Sequence, residues 1–99
     1  MNRYEELWEL VREIPRGKCA SYGDLGRALP HPTTGRIIGR WMASCPPDIP
    51  WWRVVAKNGA LPLYNRDPHQ GADQRARLEE EGVQFMGLVV DMATYRWWP

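Results

Sequence analysis

Ser21-Tyr22-Gly23-Asp24-Leu25-Gly26-Arg27-Ala28-Leu29-Pro30-His31-Pro32-Thr33-Thr34-Gly35-Arg36-Ile37-Ile38-Gly39-Arg40-Trp41-Met42-Ala43-Ser44 carries two helix starts with a helix stop between them. Ser21 and Asp24 have the spacing of a capping box, which opens a short helix running to about Leu29, where Pro30 and Pro32 end it. Thr33 or Thr34 can cap the next helix, Gly35 to about Ser44, with Ile37, Ile38 and Trp41 as its apolar side. Arg36 and Arg40 are four residues apart, so they share a face and project together from that helix. Two short helices joined by a tight Pro-His-Pro-Thr turn are consistent with a helix-turn-helix, although ordinary helical hairpins read the same way.

Outward from this pair, Tyr4, Leu7, Trp8 and Val11 recur at helical spacing and predict an amphipathic helix over 3–13 that ends near Ile14-Pro15-Arg16-Gly17. Downstream, Trp52 to Ala56, the turn pair Asn58-Gly59 and Ala60 to Leu63 read as a hairpin that would add a wing beside the helices. Gln70 to Glu81 reads as a further helix ending at Gly82, and Val83 to Tyr95 as extended or irregular chain. The expected fold is mainly α with a small β hairpin, winged helix-turn-helix-like, in one domain spanning residues 1–99.

A chain of 99 residues can form a single core without metals or disulfides. No apolar run approaches the roughly 20 residues of a membrane helix, and the first residues lack the apolar centre of a signal peptide. A soluble, cytoplasmic protein is expected, nucleoid-associated if bacterial, with no membrane partner. Cys19 and Cys45 form no CxxC pattern and His31 and His69 add no ligand spacing, so neither a metal nor a cofactor is expected and reduced thiols are the default. The net charge is only +1, but its distribution is uneven. Residues 21–66 carry Arg27, Arg36, Arg40, Arg53, Lys57 and Arg66 against Asp24 and Asp48. Residues 67–99 carry Arg75, Arg77 and Arg96 against Asp67, Asp73, Glu79, Glu80, Glu81 and Asp91. A basic middle suits a polyanion-binding face, and a merely solvated surface could show it as well.

Six tryptophans are heavy use of the largest side chain, and Trp51 and Trp52 stand side by side in Ile49-Pro50-Trp51-Trp52-Arg53-Val54-Val55. On a strand, neighbours point to opposite sides, so one indole can face the core while the other faces a groove. Both could instead be packing residues at the edge of a small core.

Ile14-Pro15-Arg16-Gly17-Lys18, Ser21-Tyr22-Gly23-Asp24, Gly35-Arg36-Ile37-Ile38-Gly39, Pro50-Trp51-Trp52-Arg53-Val54-Val55 and Asn58-Gly59-Ala60 follow one another in the order and approximate spacing of a known domain. They resemble the C-terminal domain of the O6-alkylguanine-DNA alkyltransferases over roughly residues 4–82. In that family the heptad reads Ile-Pro-Cys-His-Arg-Val-Val and the cysteine accepts the alkyl group. Trp51 stands at the cysteine position, which makes the chain similar to the alkyltransferase-like proteins, as do Gln74-Arg75, Leu78 to Val83 and the tail Tyr95 to Pro99.

The resemblance implies a DNA-binding protein without enzyme activity. Dealkylation needs a thiolate and a histidine to relay its proton, and Trp51 and Trp52 supply neither. It implies minor-groove binding through Tyr22, Thr33, Thr34, Gly35, Arg36, Gly39 and Arg40, with Gly35 and Gly39 permitting close approach. Arg36 would enter the duplex in place of an extruded nucleotide, and Tyr22 would crowd the adjacent phosphate. The pocket for the extruded base would be lined by Tyr22, Met42, Trp51, Val54, Tyr64, Asn65 and Arg66, with the alkyl group against Trp51 and Arg66 beside the guanine ring. Glu81 resembles the acidic member of the relay, with a structural role at its helix end. The implied partner is double-stranded DNA containing O6-alkylguanine. Nucleotide excision repair proteins such as UvrA would then receive the lesion, and the protein would act as a monomer; the separation of charge along the sequence, rather than the resemblance, suggests the acidic, tryptophan-rich C-terminal third as one attachment surface. Two other readings fit the residues: a winged-helix regulator of undamaged DNA, and an alkyltransferase using another acceptor such as Cys45.

Overall fold

The computed structural model describes residues 2–99. Helix α1, Arg3–Arg12, starts at Asn2, whose side chain accepts from the Glu5 amide, and buries Leu7 and Val11. Strand β1, Ala20–Ser21, leads directly into α2, Tyr22–Ala28, and α3 is Gly35–Met42. The Ser21 hydroxyl accepts from the Asp24 amide at 3.2 Å, so the serine half of the expected capping box forms. Of the two candidate threonines, Thr34 caps α3, accepting from the Ile37 amide at 3.3 Å. Aromatic packing then ties α1 to this helix pair, with Tyr4 5.3 Å from Trp41 and Arg3 donating to the His31 carbonyl at 3.0 Å.

The segment expected to form the wing departs from its sequence reading. Strand β2, Val54–Val55, pairs parallel with β1, Ala20 against Val54 and Ser21 against Val55. The chain does turn at Asn58-Gly59, with the Ala56 amide bonding the Ala60 carbonyl at 3.0 Å, but no ladder follows. Pro62 starts a single helical turn, α4, Leu63–Arg66, and Ala60 bridges Val89 instead. The reason is tertiary: Gly59 has φ +88 and lies so close to the Val90 backbone that the turn is held by a distant strand.

Nor is Trp51–Trp52 on a strand. Trp51–Arg53 is a turn of 3-10 helix after Pro50. Helix α5, Pro68–Glu80, starts two residues before its expected position because Asp67 accepts from the His69 and Gln70 amides and Pro68 occupies the first turn. Val83 to Tyr95 is ordered, as strands β3, Phe85–Met86, and β4, Val89–Val90, in an antiparallel hairpin turning at Gly87, then α6, Met92–Tyr95.

Two buried clusters result. Leu7, Val11, Ile14, Ala20, Leu25, Ile38 and Val54 form one; Cys19, Val55, Leu61, Leu78, Val83 and Val90 form the other. Alternation along the β1–β2 pair sends Ala20 and Val54 to the first and Cys19 and Val55 to the second, so this short sheet is the partition between them. The tail runs beside it, the Cys19 amide donating to Tyr95 O at 2.9 Å and the Trp97 amide to Cys19 O at 2.7 Å. Among the described residues no helix is long and apolar enough to cross a membrane.

The two glycines of α3 play different parts. A Cβ on Gly35 would sit 2.9 Å from the Gly23 amide nitrogen, so the crossing of α2 over α3 itself requires glycine there. At Gly39 a Cβ would meet nothing within 4 Å. We expect Gly35→Ala to lose about 1–3 kcal/mol of stability through the forced backbone shift, and Gly39→Ala to gain up to about 1 kcal/mol from helix propensity. Urea denaturation of both variants measures the contrast.

Candidate nucleic-acid interface

A cleft of about 470 Å³ opens between the C-terminal half of α3, the Trp51–Arg53 turn and one face of α5. Tyr22, Gly39, Met42, Trp51, Val54 and Arg66 bring six of the sequence-predicted residues to its lining. Tyr64 and Asn65 lie outside it: the Tyr64 ring packs on Gly71, where a Cβ would approach it to 2.8 Å, and Asn65 is exposed. Sequence reading missed the α5 wall of Gln70, Asp73, Gln74 and Arg77. Their helical spacing was visible, but polar residues on a helix read as a solvated face unless the partner surface is known.

Arg36 and Arg40 are exposed, and among the described residues neither has a hydrogen-bond or ion-pair partner. Arg36, Gly39 and Ala43 recur at helical spacing, and the last two line the cleft, so Arg36 stands one turn outside its rim. Arg40 is not part of the lining. Thr34 and Gly35 serve the fold, as cap and helix contact, and Thr33 bonds through its amide to Gly26 O at 3.0 Å. Tyr22, the first residue of α2, faces the cleft with its phenol pushed up by burial and eased back by the Arg66 charge, so its hydroxyl is a neutral donor at physiological pH.

The Trp51–Arg53 turn is braced from behind by one carboxylate. Glu81 Oε2 accepts from the Trp52 indole Nε1 at 2.9 Å, and both Glu81 oxygens accept from Arg53 at 2.8–3.2 Å. Oε1 also takes the Gly17 amide at 2.9 Å, while Arg53 Nη1 reaches Ile14 O at 2.9 Å. The Trp51 and Trp52 rings meet edge to face, 5.9 Å apart at 87°. Arg77, paired with Asp73 at 3.2 Å, lies 4.8 Å from the Trp52 ring centre and 5.7 Å from that of Trp51. Trp52 therefore packs behind the wall while Trp51 presents the wall itself.

Cys45 also lines the cleft. Burial, reinforced by Asp48 and only partly offset by Arg12, pushes its thiol up to about 11. At neutral pH the thiol stays protonated, and the thiolate is the form that attacks. Cys19 is buried and pushed up to about 12, chiefly by burial. Among the described residues no cluster of histidine, cysteine and carboxylate side chains could hold a metal ion.

A second carboxylate, Asp24, is 2% exposed and takes Arg96 at 2.7 and 2.9 Å, together with Arg27. Burial works to raise Asp24 and Glu81, but the hydrogen bonds from their arginines and other partners outweigh it and hold both below their ordinary values of 3.8 and 4.5. A carboxyl held low in the folded state contributes stability above its unfolded pKa and loses it as pH falls through the folded value. We expect stability to decline below about pH 4.5 on this account. Glu81→Gln should lose on the order of 3 kcal/mol at pH 7 by leaving Arg53 without its partner, and should show a shallower acid limb. Guanidinium melts of both proteins across pH 3–7 check both points.

Residues 2–83 match the family described as 6-O-methylguanine DNA methyltransferase, DNA binding domain. Alkyltransferase-like protein 1 of Schizosaccharomyces pombe is 36% identical over 85 residues, covering 83% of this chain and 77% of that protein. A DNA base-flipping protein of Escherichia coli is 32% identical over 96 residues, 94% of this chain and 72% of that one. The crystal structure of S. pombe Atl1 in complex with damaged DNA containing O6-carboxymethylguanine superposes with a TM-score of 0.82 at 31% identity, over 97% of this chain and 94% of that one. The fold is thus the mostly helical one of that group, with small sheets, and the chain belongs to the 6-O-methylguanine DNA methyltransferase DNA-binding-domain family, similar within it to the alkyltransferase-like and base-flipping proteins.

Proposed function

We propose that this protein is a non-enzymatic sensor that binds O6-alkylguanine in duplex DNA through the minor groove, extrudes the altered nucleotide and holds it in the cleft. The observation that carries this reading is the cleft itself, about 470 Å³, bordered by an arginine helix whose cations are unpartnered among the described residues and walled by an indole. Arg36 occupies the space the base vacates. Its planar guanidinium stacks and donates hydrogen bonds there, offsetting the few kcal/mol, roughly, that extrusion costs. Arg40 contacts the phosphates. Gly39 leaves open space where the backbone of the duplex comes close. Within the cleft Trp51 receives the alkyl group and Arg66 lies beside the purine.

No alkyl transfer follows. Trp51 stands in the position of the acceptor cysteine and Trp52 in that of the relay histidine; an indole is neither a nucleophile toward an alkyl carbon nor a proton shuttle. Cys45 is the thiol nearest to serving instead, and with its pKa near 11 it stays protonated. The bound lesion then passes to nucleotide excision repair, through proteins such as UvrA. Trp97 packs against the first core cluster, so Trp98, 65% exposed, is the tail indole open to such a partner. The protein acts as a monomer.

Titrating labelled duplexes with and without one O6-methylguanine, then weighing the recovered protein, tests this. Tighter binding to the lesion, an unchanged protein mass and an intact lesion are expected. Equal affinity for the two duplexes overturns the sensor, and a gain of one methyl restores the enzyme. Arg36→Ala should lose lesion discrimination with its salt dependence nearly intact, whereas Arg40→Ala should weaken both duplexes alike and reduce the slope of log affinity against log salt by about 1.

A further inference from the structure

The outer side of the helix pair carries a third arginine, Arg27, which is already fixed in place. Asp24, Leu25 and Gly26 of α2 are buried, so Arg27 turns outward, over the face of Gly23 four residues earlier. A Cβ on Gly23 would lie 3.7 Å from Arg27 Nη1, and the Gly23 amide nitrogen is what a Cβ on Gly35 would meet at 2.9 Å. The guanidinium therefore covers the crossing of α2 over α3, beside the first turn of the helix that carries Arg36 and Arg40. Its side chain is 68% exposed. On the other side it borders an open groove of about 200 Å³, shared with Asp24, Ala28, Trp98 and Pro99. The charge of Arg27 is also surplus to the fold. Asp24 Oδ2 accepts two N–H groups of Arg96, at 2.7 and 2.9 Å, and Arg27 takes the other oxygen, Oδ1. One buried carboxylate between two guanidiniums leaves one positive charge over, and the exposed partner presents it to solvent.

We propose that Arg27 binds a backbone phosphate of the duplex outside the extruded nucleotide, so that α2 holds the strand while α3 occupies the groove. The inference rests on the DNA-binding reading above. Tyr22, the first residue of α2, faces the cleft that receives the base. Arg27 lies about 7.5 Å farther along the same helix, roughly two steps of one strand at about 3.4 Å each. The phosphate it meets is therefore beyond the altered nucleotide and is the same whether the base is alkylated or not. A contact of that kind sets where the protein sits on the duplex and carries no information about the base. Arg27 is thus a positioning residue for the extrusion that Arg36 completes. The hydrogen bond to Asp24 orders the guanidinium before DNA arrives, which spares the complex the entropy of fixing a long side chain.

The test compares wild type, Arg27→Gln and Arg27→Lys on duplexes with and without one O6-methylguanine, at about 50 and about 200 mM salt. Glutamine keeps an N–H for Asp24 and removes the charge; urea denaturation checks that the variant folds. Arg27→Gln should weaken both duplexes by the same factor and lower the slope of log affinity against log salt by about 1, so its deficit is roughly threefold larger at the lower salt. Arg27→Lys should restore the slope. In the wild type, exchanging single phosphates for neutral methylphosphonates should reveal a position about two nucleotides from the lesion whose neutralisation weakens binding, and in Arg27→Gln that position should no longer matter. An unchanged slope in Arg27→Gln overturns the proposal, as does a loss confined to the lesion duplex or a phosphate dependence that survives in the variant. If Arg27→Gln does not fold, Arg27→Ala takes its place, with Asp24 still held by Arg96. A wild-type protein that binds both duplexes alike removes the lesion reading and leaves this contact to the same slope comparison; one that binds neither removes both.

Discussion

The carboxylate of Glu81 is the constraint on which the site depends. It accepts from Gly17 in the turn after α1, from Trp52 and from Arg53, while the backbone N–H of the same residue closes the end of α5. Arg53 extends the reach to Ile14. Three segments far apart in sequence are thereby fixed to one side chain that is 3% exposed, and the turn carrying Trp51 is among them. A buried carboxylate is tolerated only with its charge and lone pairs matched, and the arginine fork, an indole and a backbone amide achieve that. The role of Trp52 becomes physical here. Its Nε1–H donates to the carboxylate, so the second indole is held in the brace and cannot act as a second wall of the cleft.

Asp24 repeats the device with a second pair of arginines. It lies in α2 and takes Arg96 from the tail, while Arg96 stacks 3.8 Å from the Trp98 ring. The tail is thus part of the structure that positions the helix pair. Trp97, half-buried against the first core, and Trp98, mostly exposed, divide between packing and surface what the sequence presents as one aromatic pair.

Periodicity and caps made α1, α2 and α3 legible, because each is decided within its own few residues: Asn2, Ser21 and Thr34 all cap as their types require. Asp67-Pro68 is an equally local signal, a cap followed by proline in the first turn, and it places the start of α5 two residues before Gln70. The two-residue strands were not legible. Val54 and Val55 pair with Ala20 and Ser21 across 34 positions of chain, and nothing local prefers that to the hairpin that Asn58-Gly59 suggests. The same limit governs the cleft. Tyr22, Met42, Trp51, Val54 and Arg66 came from matching ordered motifs, whereas Gln74 and Arg77 needed the packing of α5 against the Trp51 turn to become visible.

Rigidity is distributed unevenly, and the unevenness suits the proposed lesion sensor. Behind the cleft, Glu81, Arg53, Trp52 and Gln74 have fixed partners; in front of it, Arg36 and Arg40 have none among the described residues. Extruding a base costs a few kcal/mol of stacking, and each long side chain ordered only on binding costs roughly another 0.5–1.5 kcal/mol. A wall already braced adds nothing to that second term, so the ordering cost falls on the exposed arginines, whose gain comes from a polyanion that supplies charge on arrival. An enzyme of similar geometry would recover the cost of extrusion through an irreversible step. A sensor has only the difference in binding between the altered and the normal base, and that difference is larger the less the cleft can adapt to the wrong one.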